Sequence, residues 1–348
     1  MKDLSALAAL VFALVGGACT GPPQIAPQPD AHPDAPSYAD ALLRIGIRQR
    51  QDDSVAVAGG RSILMSHGDR AARVYVLLHG FTDAPTQFLT VGGHLFADGA
   101  NVYIPRLPHH AERQSSLRAI GRVRADELAR FADSTTEIAR GLGDTIVVVG
   151  LSAGGVLAGS IAQHHPEVLR TVLIAPAIAP GRISDSEGEA VVMLAGVLPD
   201  IVRRTAPIDT NRPENIPGIS TRGLAELLRL GRRVYDEAES APPAVHDIVL
   251  LLNEADHTVS EDATLDLAQR WTDRGATVAA YRFAASAKLL HNVMELDSHG
   301  GNTELVYPVV EALARGDSVR SPEMIRLLDV PCQGFRCRVR RWVSPHAD

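Results

Sequence analysis

Ser152 stands in "VVVGLSAGGVLAG", Val147–Gly159, between Gly150, Gly154 and Gly155. Gly150-x-Ser152-x-Gly154 has the spacing of a nucleophile elbow, a strained strand-to-helix turn that lifts a serine hydroxyl clear of the backbone. An ordinary turn with serine as helix N-cap would use the same residue types. A serine hydroxyl attacks a carbonyl only when a base takes its proton and main-chain donors hold the oxyanion that forms. The elbow reading therefore requires a histidine, a carboxylate to orient it and two amides, all at one edge of a sheet.

Of the 13 histidines, most are placed elsewhere by position. His32 lies in a proline-rich N-terminal segment, and His164 and His165 end the helix that Ser152 opens. His109 and His110, in "PRLPHHAER", follow a strand and are expected at the pocket rim. His291, in "YRFAASAKLLHNVMEL", follows the last strand and is the predicted base, with His299 in "SHGG" as the alternative. Asp256, in the polar loop of "HDIVLLLNEADHTVS", is the predicted orienting carboxylate, with Glu254 as the alternative. The order Ser152, Asp256, His291 is the chain order of one hydrolase class. The oxyanion amides are expected at Ala153, where the helix starts, and at Phe81, where Gly80 turns the chain after the strand of "VYVLLHGFTDAP". His79 is expected to position that loop.

The elements that must hold these residues follow from hydrophobic patterning. Strands are predicted at Ser62–Met65, Val74–Leu78, Val102–Ile104, Ile146–Val149, Val172–Ala175, Ile248–Leu252 and Thr277–Phe283. Several are continuous apolar runs, as in strands buried on both faces of a parallel sheet. Helices are predicted near 86–97, 124–141, 153–165, 261–274 and 303–314. The alternation predicts a doubly wound, mostly parallel α/β sheet. It breaks between Pro180 and Val245, so an inserted helical cap is expected at about 181–244. Its first helix, in Glu189–Arg204, is strongly apolar and either lines an acyl pocket or packs against the core.

With these residues in place the chain resembles the α/β-hydrolases, in particular the carboxylesterase, monoacylglycerol-lipase and serine-aminopeptidase-like branch. The resemblance covers about residues 60–314 and rests on "LLHGFTDAPTQF", "NVYIPRLPHH", "VVVGLSAGG", "LLLNEADHTVS" and "KLLHNVMEL", in family order. It implies Ser152 as nucleophile, Asp256 as acid, His291 as base and Phe81 and Ala153 as oxyanion amides, with no cofactor and no metal. Many relatives have Pro-Gly-His-Gly where this chain has Pro108-His109-His110-Ala111.

Composition and termini bound the setting. A net charge of −7 argues against nucleic acid as a partner. Residues 1–18 read as a signal peptide, with an apolar run from Leu4 to Val15 after Lys2. "VGGACT" resembles a bacterial lipoprotein signal, which implies lipidation of Cys19 and a membrane anchor, although Gly16 stands where leucine is usual. An ordinary secretory signal cleaved nearby is the alternative. Residues 19–37 read as a proline-rich tether and 38–316 as the catalytic domain. Residues 317–348 read as a tail in which Cys332 and Cys337 are expected to pair in an oxidising compartment. The expected chemistry is hydrolysis of small-molecule carboxylic esters with short to medium acyl chains. A peptidase, amidase or thioesterase would use the same residues, and a catalytically silent anchored binding protein is the reading from another class.

Overall fold

The computed structural model describes residues 36–113, 116–181, 199–205, 209, 212–294, 302–317, 319, 321 and 323–328. Eight strands form one sheet: β1 (Ile63–Met65), β2 (Ala71–Leu78), β3 (Asn101–Ile104), β4 (Gly143–Leu151), β5 (Val168–Ile174), β6 (Asp247–Asn253), β7 (Thr277–Phe283) and β8 (Met324–Leu328). Their spatial order is β1-β3-β2-β4-β5-β6-β7-β8. The six central strands are parallel, and β1 and β8 run antiparallel at the two edges. The expected doubly wound, mostly parallel sheet is therefore present. Its middle is built from apolar runs with both faces covered: Val74–Leu78, Ile146–Val149 and Val172–Ile174 are all buried.

The principal helices are α1 (Tyr38–Val55), α2 (Leu89–Ala97), α3 (Ala125–Leu142), α4 (Ala153–His164), α5 (Thr221–Ser240), α6 (Glu261–Asp273) and α7 (Thr303–Arg315). In α4 every residue from Ala153 to Gln163 is buried, which small side chains permit by letting the helix lie close on the sheet. A Cβ at Gly154 would overlap the Leu78 carbonyl, and one at Gly155 would come within 2.9 Å of Pro176. The far end of α4 is held electrostatically. His165 lies between Asp133 of α3 (3.0 Å) and Glu167 (2.9 Å). Burial opposes charge on its imidazole, but the bonds to Asp133 and Glu167 outweigh that and raise its pKa to about 9.

Four features differ from the pattern read in the sequence. Helix α1 has no counterpart among the predicted elements; Ser37 and Asp40 form a capping box at its start, and Ala41 packs against Gly141 of α3. Helix α5, expected within the cap, packs on α4, where Val234 meets Gly159. Val202–Arg204, expected as the end of a cap helix, pairs instead with Gly218–Ser220 as an antiparallel ribbon. Met324–Leu328, expected in a tail beyond residue 316, is the edge strand β8 on β7. Cys19, Cys332, Cys337, His32, His299 and most of the predicted first cap helix lie outside the described residues.

Two outcomes follow. Gly154→Ala forces the added methyl against main chain, so it should destabilise the fold by about 1–3 kcal/mol or more, read as a lower midpoint in thermal unfolding. His165 binds its proton more tightly folded than unfolded, so its contribution is complete below about pH 6.5 and is lost as pH rises through about 9. His165→Gln should therefore melt several degrees below the wild type at pH 6, with the gap closing by about pH 10.

Candidate active site

The sheet register brings the chemistry together. Gly150 on β4 pairs with Leu78 on β2 and Leu173 on β5, so the chain leaves β4 beside the ends of both neighbours. At Ser152 it turns with φ 55° and ψ −107°, a left-handed conformation that costs a non-glycine residue of the order of 1–3 kcal/mol. Three main-chain bonds hold the turn. Ser152 N–H donates to the Ile174 carbonyl (2.8 Å), Ala177 N–H to the Ser152 carbonyl (3.2 Å), and Gly154 N–H to the His79 carbonyl (3.1 Å). On the other side of the site Asn253 pairs with Phe283, so the loops carrying Asp256 and His291 leave β6 and β7 at matched positions.

His291 stands between the other two side chains. Its Nε2 is 2.8 Å from Ser152 Oγ and its Nδ1 2.7 Å from Asp256 Oδ2. Burial alone would raise the Asp256 carboxyl, but the hydrogen bond and charge of His291 and a bond from Thr258 N–H (2.8 Å) hold it below the usual carboxylate range. The ionised carboxylate fixes Nδ1 as the protonated nitrogen and leaves Nε2 to accept from the serine hydroxyl. Glu254 accepts from Ala285 N–H (2.8 Å) and pairs with Arg282 (3.6 Å), so it braces the start of the β7–His291 loop.

Residues 75–329 match the alpha/beta hydrolase family. The chain belongs to that family. It is 27% identical over 195 residues to a thermostable monoacylglycerol lipase of Bacillus sp. (strain H-257), a match covering 53% of this chain and 70% of that protein. Among solved structures it resembles a metagenome-derived lipolytic enzyme of the LipS and LipT pair (TM-score 0.58, 15% identity, 75% of this chain and 99% of that one). A monoacylglycerol lipase from Paleococcus ferrophilus is also similar (TM-score 0.54, 19% identity, 73% and 98%). So is a soluble variant of monoglyceride lipase from Saccharomyces cerevisiae (TM-score 0.55, 14% identity, 74% and 90%).

In this hydrolase the loop after β2 faces the serine. Gly80, Phe81, Thr82 and Asp83 line a cavity of about 290 Å³ together with Ser152 and His291. Among the described residues neither Phe81 N–H nor Ala153 N–H donates to an acceptor of the chain. His79, fully buried, donates from Nδ1 to the Gly80 carbonyl (2.9 Å) and accepts at Nε2 from Leu107 N–H (3.1 Å). Burial, followed by the nearby His110, keeps its pKa well below the ordinary histidine value, so it acts as a neutral brace for the loop.

His109 and His110, expected at the rim, do not line the cavity. His110 is buried with its ring edge-on to Phe81 (5.5 Å) and His79 (5.3 Å), and burial lowers its pKa to about 4. His109 is turned to Glu112 (3.3 Å) and Glu127 (3.1 Å). The apolar wall comes instead from α5: Leu224, Leu227 and Leu228, one face of a helix at i, i+3 and i+4, line the cavity together with Ala177 and Val259. That spacing is visible in "RGLAELLRLGRR" and would have marked the face. Asn292 also lines the cavity; its place beside His291 is the only sequence signal for it.

If His291 activates Ser152, a fluorophosphonate should label the protein at Ser152 alone. Asp256→Asn, which supplies the wrong imidazole tautomer, should slow that labelling by about 10³–10⁴-fold without lowering the melting temperature. Peptide mass mapping identifies the labelled serine.

Proposed function

We propose that this chain is a serine hydrolase of small carboxylic esters with short to medium acyl chains, with Ser152 as nucleophile, His291 as general base and Asp256 as its orienting acid. The observation that carries the reading is the pair of contacts His291 makes, 2.8 Å to Ser152 Oγ and 2.7 Å to Asp256 Oδ2, at the wall of an apolar cavity. Ser152 Oγ attacks the ester carbonyl as its proton passes to His291 Nε2. The tetrahedral oxyanion is held by the amides of Phe81 and Ala153, and His291 returns the proton to the departing alcohol. Water, activated by the same imidazole, then releases the acid and regenerates the serine.

The leucines of α5 support an acyl group as the part of the substrate that enters the cavity, because burying methylenes there removes apolar surface from water. A volume of about 290 Å³ lies at the lower end of ligand pockets, which favours shorter chains. The lipase relatives support an ester over other acyl compounds. We also propose that the protein is exported and anchored through lipidated Cys19; among the described residues no helix is long and apolar enough to cross a membrane.

The test is hydrolysis of p-nitrophenyl esters from acetate to palmitate by the wild type and Ser152→Ala. We expect turnover that peaks at short or medium chains and falls by about 10⁴-fold or more in the variant. Equal, negligible rates for the two proteins, with turnover of anilides or thioesters instead, would overturn the ester reading.

A further inference from the structure

Three polar side chains form a directed chain of hydrogen bonds between the loop after β2 and the residue next to His291. Gly80 N–H donates to Gln87 Oε1 (2.9 Å), Gln87 Nε2 donates to Asn292 Oδ1 (3.0 Å), and Asn292 Nδ2 donates to Asp83 Oδ2 (3.1 Å). Asp83 and Gln87 are each only 4% exposed and Asn292 is half-buried, so the Gly80–Gln87 link is shielded from water while the two links to Asn292 lie at the edge of the cavity. The two ends of the Asn292 amide set the direction: with its nitrogen given to Asp83 Oδ2, its oxygen is left to accept from Gln87. Gln87 then has only its own oxygen left for the Gly80 amide. The first and last links, Gly80 and Asp83, bracket Phe81 and Thr82.

We propose that Asn292 and Gln87 are positioning residues which tie the Phe81 amide to the catalytic histidine's loop, so that base and oxyanion donor hold one mutual geometry. The inference rests on the acyl-transfer reading above. A donor contributes fully only when aimed at the place where the oxyanion will form, and the loss of one donor in such sites costs about 10²–10³-fold in rate. A loop free to drift would lose part of that. The chain closes the loop from within, while the cap segment closes it from outside. Ile216 N–H donates to the Thr82 carbonyl (2.7 Å), Thr86 Oγ1 donates to Glu214 Oε1 (2.9 Å), and Arg212 approaches Asp83 at 4.0 Å.

The direction of the chain makes a reversal experiment possible. In Gln87→Glu, Asn292 faces a carboxylate on each side with only one amide nitrogen to offer, so one link breaks. In Asp83→Asn/Gln87→Glu the polarity runs the other way: Asn at 83 donates to Asn292 Oδ1, Asn292 Nδ2 donates to Glu at 87, and Gly80 N–H still finds an acceptor. The double variant keeps the same local charge as the wild type. Asn292→Ala removes both central links without adding charge and serves as an independent break should Gln87→Glu fail to fold.

Kinetics on the best p-nitrophenyl ester and hydrogen–deuterium exchange of the peptide spanning His79–Phe88 read the result on protein of unchanged circular dichroism. We expect Gln87→Glu and Asn292→Ala to lose about 10–10²-fold in kcat with KM within about twofold, and to exchange faster in that peptide. The double variant should recover both readouts. No recovery in the double variant, or a raised KM with kcat retained, would overturn the proposal; the raised KM would place these side chains against bound substrate instead. If the wild type turned over no acyl substrate, the acyl-transfer reading would fall. Unchanged exchange in the single variants would then separately remove the brace, and faster exchange reversed in the double variant would retain it.

Discussion

The left-handed backbone at Ser152 is the constraint on which the site depends. An L-residue adopts φ 55° with ψ −107° only where its surroundings leave no relaxed alternative. Here that enforcement is visible atom by atom. The carbonyl of Ile174 and the amide of Ala177 grip Ser152 from β5 and the turn after it, and the His79 carbonyl grips Gly154 from the side of β2. The glycines are what allow this closeness, since a methyl at Gly150 or Gly154 would meet main chain. The strain is thus offset by the packing of α4 onto the sheet, and the same bond that holds Gly154 also binds the elbow to the loop carrying Phe81.

The parallel sheet then acts as a ruler. Ser152 and His291 are 139 positions apart and His291 and Asp256 are 35 apart, yet hydrogen-bond register places the ends of β4, β6 and β7 at one edge. Loops leaving that edge need only a few residues to converge. Asn253 shows how the convergence is kept: its amide nitrogen donates to the carbonyls of Leu289 (2.9 Å) and Leu290 (3.1 Å), so the strand bearing the acid loop directly fixes the approach to His291. Other elements are laid over this frame: the leucine face of α5 lines the cavity, and the segment 212–216 docks on the loop after β2.

The central strands and the three side chains that converge at His291 were legible in the sequence for the same reason. A strand buried on both faces is a continuous apolar run, and the polar loop after such a run is where chemistry can stand. The features that escaped lack that contrast. Helix α1 buries only Ala41, Ile45 and Asp52, too few for an apolar stripe to rise above its charged residues. Strand β8 is a short edge strand with Arg326 in its middle, and its long-range pairing with β7 leaves no local mark. Helix α5 has a face that is clear as a pattern, but periodicity does not say whether that face meets a core helix or a cavity; it meets both. His110 reads as a pocket-rim residue in "PHHAE", but it is buried with its ring edge-on to Phe81 and His79.

The histidines show how environment alone sorts one residue type into different tasks. His79 and His110 are sealed from water with no carboxylate partner among the described residues, so burial keeps them neutral across the physiological range and they serve as fixed donors and ring contacts. His165 is nearly as buried but lies between two carboxylates, so it stays charged to about pH 9 and serves as an ionic pin. A general base can be neither of these, because it must gain and lose a proton in each turnover. His291 is placed differently from all three: one nitrogen against a single carboxylate, the other against a hydroxyl, and a ring that still reaches the cavity. In the proposed reaction one carboxylate stabilises the imidazolium, and a second at Nε2 would occupy the place of the serine hydroxyl.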